Sequence, residues 1–119
     1  MADFEEKISR AWEMLAPALG SDLRIIQSEV NAGQAQLIEW GNGELYTVTR
    51  AEVAADGPEL VIVAAAGRHC VKYTEEIHEL ARKQGFKTVR LHTKRPDAML
   101  RMGRGLGYQR AETILRAVL

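Results

Sequence analysis

The residues with the widest chemical reach stand together at Arg68-His69-Cys70, directly after Gly67. A helix N-terminus stabilises the thiolate of a cysteine placed there, and a neighbouring imidazole could take the proton. Successive helical residues point about 100° apart, however, so His69 and Cys70 form a nucleophile and base pair only on an unusual backbone. The competing reading of Cys70 is a small side chain packed under a helix. His69, His78, His92 and Cys70 lack the paired spacing of a metal site, and no metal is expected. Glu39 and Glu59 fall near strand ends, where a general base would be useful, yet nothing in the sequence separates them from solvated carboxylates. Trp12 and Trp40 could line an acceptor pocket. Trp12 lies on an apolar helical stripe and reads as core, whereas Trp40 sits beside a turn and reads as half-buried.

The elements that must position these groups are legible in the hydrophobic pattern. Leu60 to Ala66 is an unbroken apolar run ended by Gly67, as in a strand covered on both faces. Tyr73, Ile77, Leu80 and Ala81 then recur at helical spacing until Gly85, which suits a left-handed cap. Thr88 to His92 alternates with period two, placing His92 with Arg90 on an outward face. A strand, helix and strand in one sheet must be parallel and right-handed. Ahead of this unit, Phe4, Ile8, Trp12 (or Ala11), Leu15 and Leu19 predict a first helix, with Asp3 as its cap, Pro17 near its end and a stop near Gly20. Ser21-Asp22 predicts the cap of a shorter helix with Leu23, Ile26 and Val30 inward, stopping at Asn31-Ala32-Gly33. Gln34 to Trp40 reads as the first strand, Gly41-Asn42-Gly43 as a hairpin turn, Leu45 to Val53 as the second strand and Ala55 to Pro58 as the next turn. After the crossover, Arg95-Pro96-Asp97 opens a short helix through Met102, weakened by Gly103, Gly105 and Gly107. Tyr108 to Leu119 reads as a last strand.

Length and composition bound the rest. At 119 residues, one domain is expected, with a helix at 1–20 and a core at 21–119. A single cysteine excludes a disulfide framework, no apolar run is long enough for a membrane helix, and the first residues are acidic where a signal peptide is basic. A cytoplasmic protein with no membrane partner is the expectation. The net charge of zero conceals a division: residues 1–86 hold 8 Lys/Arg against 14 Asp/Glu, residues 87–119 hold 8 against 2. The basic part could attract phosphate or an acidic partner, or pair with the acidic part of the same fold. No aromatic-plus-basic module is present, so nucleic acid is not the expected ligand.

The order helix, helix, three-strand meander, crossover helix, strand, helix, strand resembles the GNAT superfamily of acyl-CoA N-acyltransferases. Ala81-Arg82-Lys83-Gln84-Gly85 is similar to the A-x-x-x-G that ends that family's crossover helix, and Gly107-Tyr108 to the Gly-Phe after its last helix. Gly33-Gln34-Ala35-Gln36-Leu37 and Arg95-Pro96 are most similar to short GNAT-like proteins of bacteriophages and prophages. The resemblance covers about residues 21–119 and lacks the usual first strand. It implies an α+β, α/β/α layered, mixed sheet of order α-α-β-β-β-α-β-α-β. It also implies acetyl-CoA or CoA along Val63, Ala65, Gly67, Arg68, His69 and Cys70, with an amine, small-molecule or protein, as acceptor. Two positions depart from the family. Arg68 and Cys70 stand where its phosphate turn has small residues, and Gly103 stands where a tyrosine often serves as general acid, leaving Tyr108, Tyr73 or Cys70 as substitutes. The alternative is a non-catalytic phage or prophage protein, virion-associated or bound to a phage partner, that keeps the fold. A homodimer, built through the last strand, is a further expectation.

Overall fold

The computed structural model describes residues 4–112 and 114–119, so Asp3, expected to cap the first helix, lies outside them. Helix α1 (Phe4–Leu19) and helix α2 (Leu23–Asn31) are joined by a 3-10 turn at Gly20–Asp22. Strands β1 (Gln36–Trp40), β2 (Leu45–Ala54) and β3 (Gly57–Gly67) form the meander. Helix α3 (Cys70–Lys83) crosses to β4 (Thr88–Leu91), and α4 (Pro96–Met102) leads to a 3-10 turn at Arg104–Leu106. The sheet runs β1-β2-β3-β4, antiparallel in its first two pairings and parallel in the third. The expected meander and parallel crossover are both present.

Alternation along the strands divides the sheet into two faces. Ala11, Leu15 and Leu19 of α1 and Ile26 of α2 form one core with Tyr46 and Val48 of β2 and Ala64 of β3. The opposite face carries Trp40 and Thr47, where the indole N–H donates to the Thr47 hydroxyl at 2.9 Å and the indole lies 6.0 Å from the Tyr73 ring of α3. Helices thus cover both faces of β3, and none of Leu60 to Ala66 is exposed, as an unbroken apolar strand requires. Ion pairs stitch its polar end: Arg90 of β4 reaches Glu59 at 3.0 Å and Glu52 at 2.6 Å, while Arg50 reaches Glu29 of α2 at 3.2 Å. Glu59 is therefore a structural partner of Arg90, and Glu39 is solvated.

The structure corrects several expectations. The segment from Tyr108 to Leu119 forms no strand among the described residues, because no described sheet edge hydrogen-bonds to it. Asp22 ends the 3-10 turn in a helical backbone conformation (φ −86°, ψ −1°), so the chain passes into α2 without the extended residue a side-chain cap requires, and Asp22 makes no capping bond. Phe4 is exposed because the first turn of α1 lies outside the packed stretch that begins at Ala11, and Leu80 is largely exposed because α3 turns Tyr73, Ile77 and Ala81 to the sheet. Trp12 flanks the core, while Ala11 beside it is buried. Pro17 lies inside α1, which continues to Leu19.

Candidate functional site

The site grows from one mismatch of lengths. Strand β3 pairs with β2 along its whole course, ending at Gly67 opposite Leu45, but pairs with β4 only from Glu59–Thr88 to Ile62–Leu91. After one more bond, from the His92 amide to the Ile62 carbonyl at 3.1 Å, the strands part. Val63 to Gly67 continue without β4 alongside. Val63 and Ala65 therefore lie on a stretch of strand whose β4 side is open, and Gly67, Arg68, His69 and Cys70 follow at its end, where α3 begins.

The turn from β3 into α3 has unusual geometry. Gly67 has φ 137°, and a Cβ there would fall on the Glu44 carbonyl oxygen and within 2.8 Å of the Leu45 Cα. Only glycine fits, because β2 lies against it. His69 stands in the left-handed region at φ 60° and ψ 37°, the one non-glycine residue there among those described. Its carbonyl accepts the Tyr73 amide at 3.1 Å, so it precedes the helix without being helical. His69 and Cys70 are thus not successive helical residues, the unusual backbone that a thiol and imidazole pair would require.

Glu44, at the end of the β1–β2 turn, holds this geometry together. Its carbonyl accepts the Arg68 amide at 2.7 Å. Its carboxylate accepts the Tyr73 hydroxyl at 2.8 Å, meets His69 Nε2 at 3.1 Å and lies 3.9 Å from Arg68 Nε. The Tyr73 hydrogen bond holds the Glu44 carboxyl below its usual range against partial burial, with help from the charges of His69, Lys72 and Arg68. The same bond raises the Tyr73 hydroxyl above its usual value. Arg68 and His69 remain largely open to solvent, so the start of α3 offers two cation-capable side chains beside its first amides, with Glu44 as their internal counter-charge.

Between α3 and α4 the structure is closed more tightly. Cys70, Val71 and Thr74 of α3 face Leu91 of β4 and Met99, Met102, Gly103, Leu106 and Tyr108 across a space of about 10 Å³. That is room for no more than about one water molecule. Tyr108 turns its hydroxyl to His78 Nε2 at 2.7 Å. Burial, with the nearby Cys70, pushes that hydroxyl up to about 12, and burial lowers the His78 imidazole below its usual value. Cys70 has Sγ 3.8 Å from the Thr74 hydroxyl. Of the three groups left as substitute acids, Tyr73 is bound to Glu44, Tyr108 to His78, and Cys70 lines the small cavity. His92, just past β4, is lowered by burial and by Arg90 and Arg50. Among the described residues no group of three His, Cys, Asp or Glu is placed to hold a metal ion, and no helix is long and apolar enough to cross a membrane.

The sequence pattern drew attention to residues 67–70 and missed Glu44 and the His78–Tyr108 pair. The signal for Glu44 was its place directly after a Gly-Asn-Gly turn, which carries it to the end of β3. No local signal linked His78 with Tyr108, thirty residues apart.

The architecture so defined is an α+β domain with a four-stranded mixed sheet. No family model matches this chain, and no curated protein does. Among solved structures, the wild-type protein TTHA1254 from Thermus thermophilus is similar to it, with a TM-score of 0.56 and 15% sequence identity over 92% of this chain and 91% of that one. At that identity the likeness concerns the fold.

Proposed function

We propose that this chain is a degenerate GNAT-like protein that binds acetyl-CoA or CoA along the open side of Val63 to Gly67 and can act as an N-acetyltransferase. The observation that carries this reading is the parting of β3 from β4 after Ile62. It leaves backbone groups of β3 available to an extended, amide-bearing arm, while Arg68, His69 and the start of α3 stand at the end where a diphosphate would lie. In the reaction, a neutral amine attacks the thioester carbonyl, the C–N bond forms, the C–S bond breaks, and the proton that the amine nitrogen sheds is the one the departing thiolate takes up. A β3 amide would hold the developing oxyanion. Positioning supplies much of the rate in such transfers. The narrow space bounded by Leu91, Met99 and Tyr108 has to widen by displacement of α4 and the turn after it.

The narrowness of that space favours a second reading, a non-catalytic phage or prophage protein that keeps the fold for interaction or virion association. A thermal-shift titration with acetyl-CoA and CoA separates the two. At a hundredfold excess over the dissociation constant, a bound ligand stabilises by about 2.7 kcal/mol. A rise in Tm with both ligands, reduced by Arg68→Ala, is the expected result. No rise at millimolar ligand leaves the non-catalytic reading in place.

A further inference from the structure

The chain has two asparagines, Asn31 and Asn42, and the fold treats their neighbours differently. Asn31 closes α2 and is followed by Ala32, whose amide donates to the Ser28 carbonyl at 2.9 Å. Asn42 stands exposed in the turn between β1 and β2 and is followed by Gly43. The Gly43 amide donates no hydrogen bond among the described residues, whereas the next amide, of Glu44, donates to the Trp40 carbonyl at 3.1 Å. Glycine has no side chain to keep its nitrogen from the carboxamide before it. Gly41 and Gly43, at φ 63° and 78°, also give this turn the backbone freedom to bring the two together. These are the conditions in which a main-chain amide attacks the preceding side chain.

We propose that Asn42 is a modification site that deamidates without an enzyme, and that its isoaspartyl product loosens the hold of Glu44 on the start of α3. The Gly43 nitrogen, its proton taken by hydroxide, bonds to Asn42 Cγ. The Cγ–Nδ2 bond breaks, and the departing nitrogen takes a proton from water and leaves as ammonia, which restores the hydroxide. Water then opens the resulting succinimide ring. Breaking the bond from nitrogen to Cγ gives aspartate. Breaking the bond from nitrogen to the main-chain carbonyl carbon gives isoaspartate, in which the chain runs through Cβ and Cγ. The sum is asparagine and water to a carboxylic acid and ammonia, with no oxidant or cofactor.

The isoaspartyl turn is longer by one carbon–carbon bond, about 1.5 Å. The turn has no slack for it beside the Glu44 cluster. A Cβ on Gly41 would fall on the Tyr73 hydroxyl oxygen and 2.7 Å from Glu44 Oε1, and one on Gly43 would lie 3.2 Å from the Tyr46 hydroxyl oxygen. Glu44 therefore has to move. With it go the carbonyl that accepts the Arg68 amide at 2.7 Å and the carboxylate that faces Tyr73 and His69. The inference is independent of the acyl-CoA reading.

The test keeps the full chain folded at mildly alkaline pH and follows it by proteolysis and mass spectrometry, with aspartyl and isoaspartyl peptides separated by chromatography. Asn42 should convert at least about tenfold faster than Asn31, and faster as pH rises, because attack needs the deprotonated amide. Conversion of Asn42 no faster than that of Asn31 overturns the inference. The isolated isoaspartyl form should exchange its Arg68 amide at least about tenfold faster than fresh protein, with the Leu15 amide in α1 unchanged. Asn42→Asp carries the same new charge on an ordinary backbone and should exchange at Arg68 as fresh protein does. Unchanged exchange at Arg68 in the isoaspartyl form overturns the inference. So does faster exchange throughout, Leu15 included, because the change is then not confined to the Glu44 contacts. An equal loss of protection in Asn42→Asp overturns it too, because charge and not chain length is then the cause.

Discussion

Glu44 concentrates more of the local chemistry than any residue of the tripeptide it faces. One carboxylate serves a tyrosine hydroxyl, an imidazole and a guanidinium, and its own backbone carbonyl holds the next turn. Because its folded pKa lies below the unfolded value of 4.5, the unfolded chain binds the proton more readily. The contribution of Glu44 to stability is therefore complete above pH 4.5 and is lost as pH falls through the depressed folded value. Glu44→Gln should lower Tm at neutral pH and flatten its decline on acidification, which thermal melts between pH 3 and pH 7 would record. A melt series as steep in the variant as in the wild type would contradict this. At the other pair, Tyr108→Phe removes one partly buried hydrogen bond and should cost about 1 kcal/mol in chemical denaturation. Tyr108 also ionises near 12 where an unfolded tyrosine ionises at 10, so its contribution fades as pH rises from 10 through 12. Absorbance titration of the wild type and Tyr108→Phe should differ by one late-ionising phenol.

At the scale of elements, two glycines with similar backbone signs have different jobs. Gly67 meets β2 so closely that a methyl group has nowhere to go, whereas Gly85, at φ 88°, has nothing within 4 Å of its position. Gly85→Ala should cost only the left-handed backbone term, about 1 kcal/mol, while Gly67→Ala adds a clash with backbone and should cost at least about 2 kcal/mol. Urea denaturation of both variants decides the matter, and equal losses would mean that β2 can yield at Leu45. His69 holds the same left-handed region without being glycine. A non-glycine residue there stores strain that its surroundings must hold in place, and the Glu44 contact is the holder on view. His69→Gly should relax the turn, so its Tm should fall less than that of Glu44→Gln. A larger fall for His69→Gly would place the strain elsewhere.

For the molecule as a whole, much of the fold was readable in advance. The apolar run Leu60–Ala66, the helical spacing after Gly67 and the turn at Gly41-Asn42-Gly43 are strong local signals, because burial and backbone freedom act on neighbours in the chain. They placed β1 to β4 and α1 to α4 within a few residues. The tail from Tyr108 was misread for an equally physical reason: strand composition shows that a segment can pair, and pairing needs an edge in reach. Between Phe4 and Leu106 the sequence by itself determined which stretches are helix or strand, the parallel crossover and the glycine where β3 ends, since periodicity and φ preference are properties of short windows. Only the tertiary structure decided that β4 stops alongside Ile62 while β3 runs on, that Glu44 commands Arg68, His69 and Tyr73, and that α4 and Tyr108 close against Cys70, Val71 and Thr74 of α3. Those are contacts between residues roughly 25 to 40 apart in sequence, and such distances appear only when the chain has closed on itself.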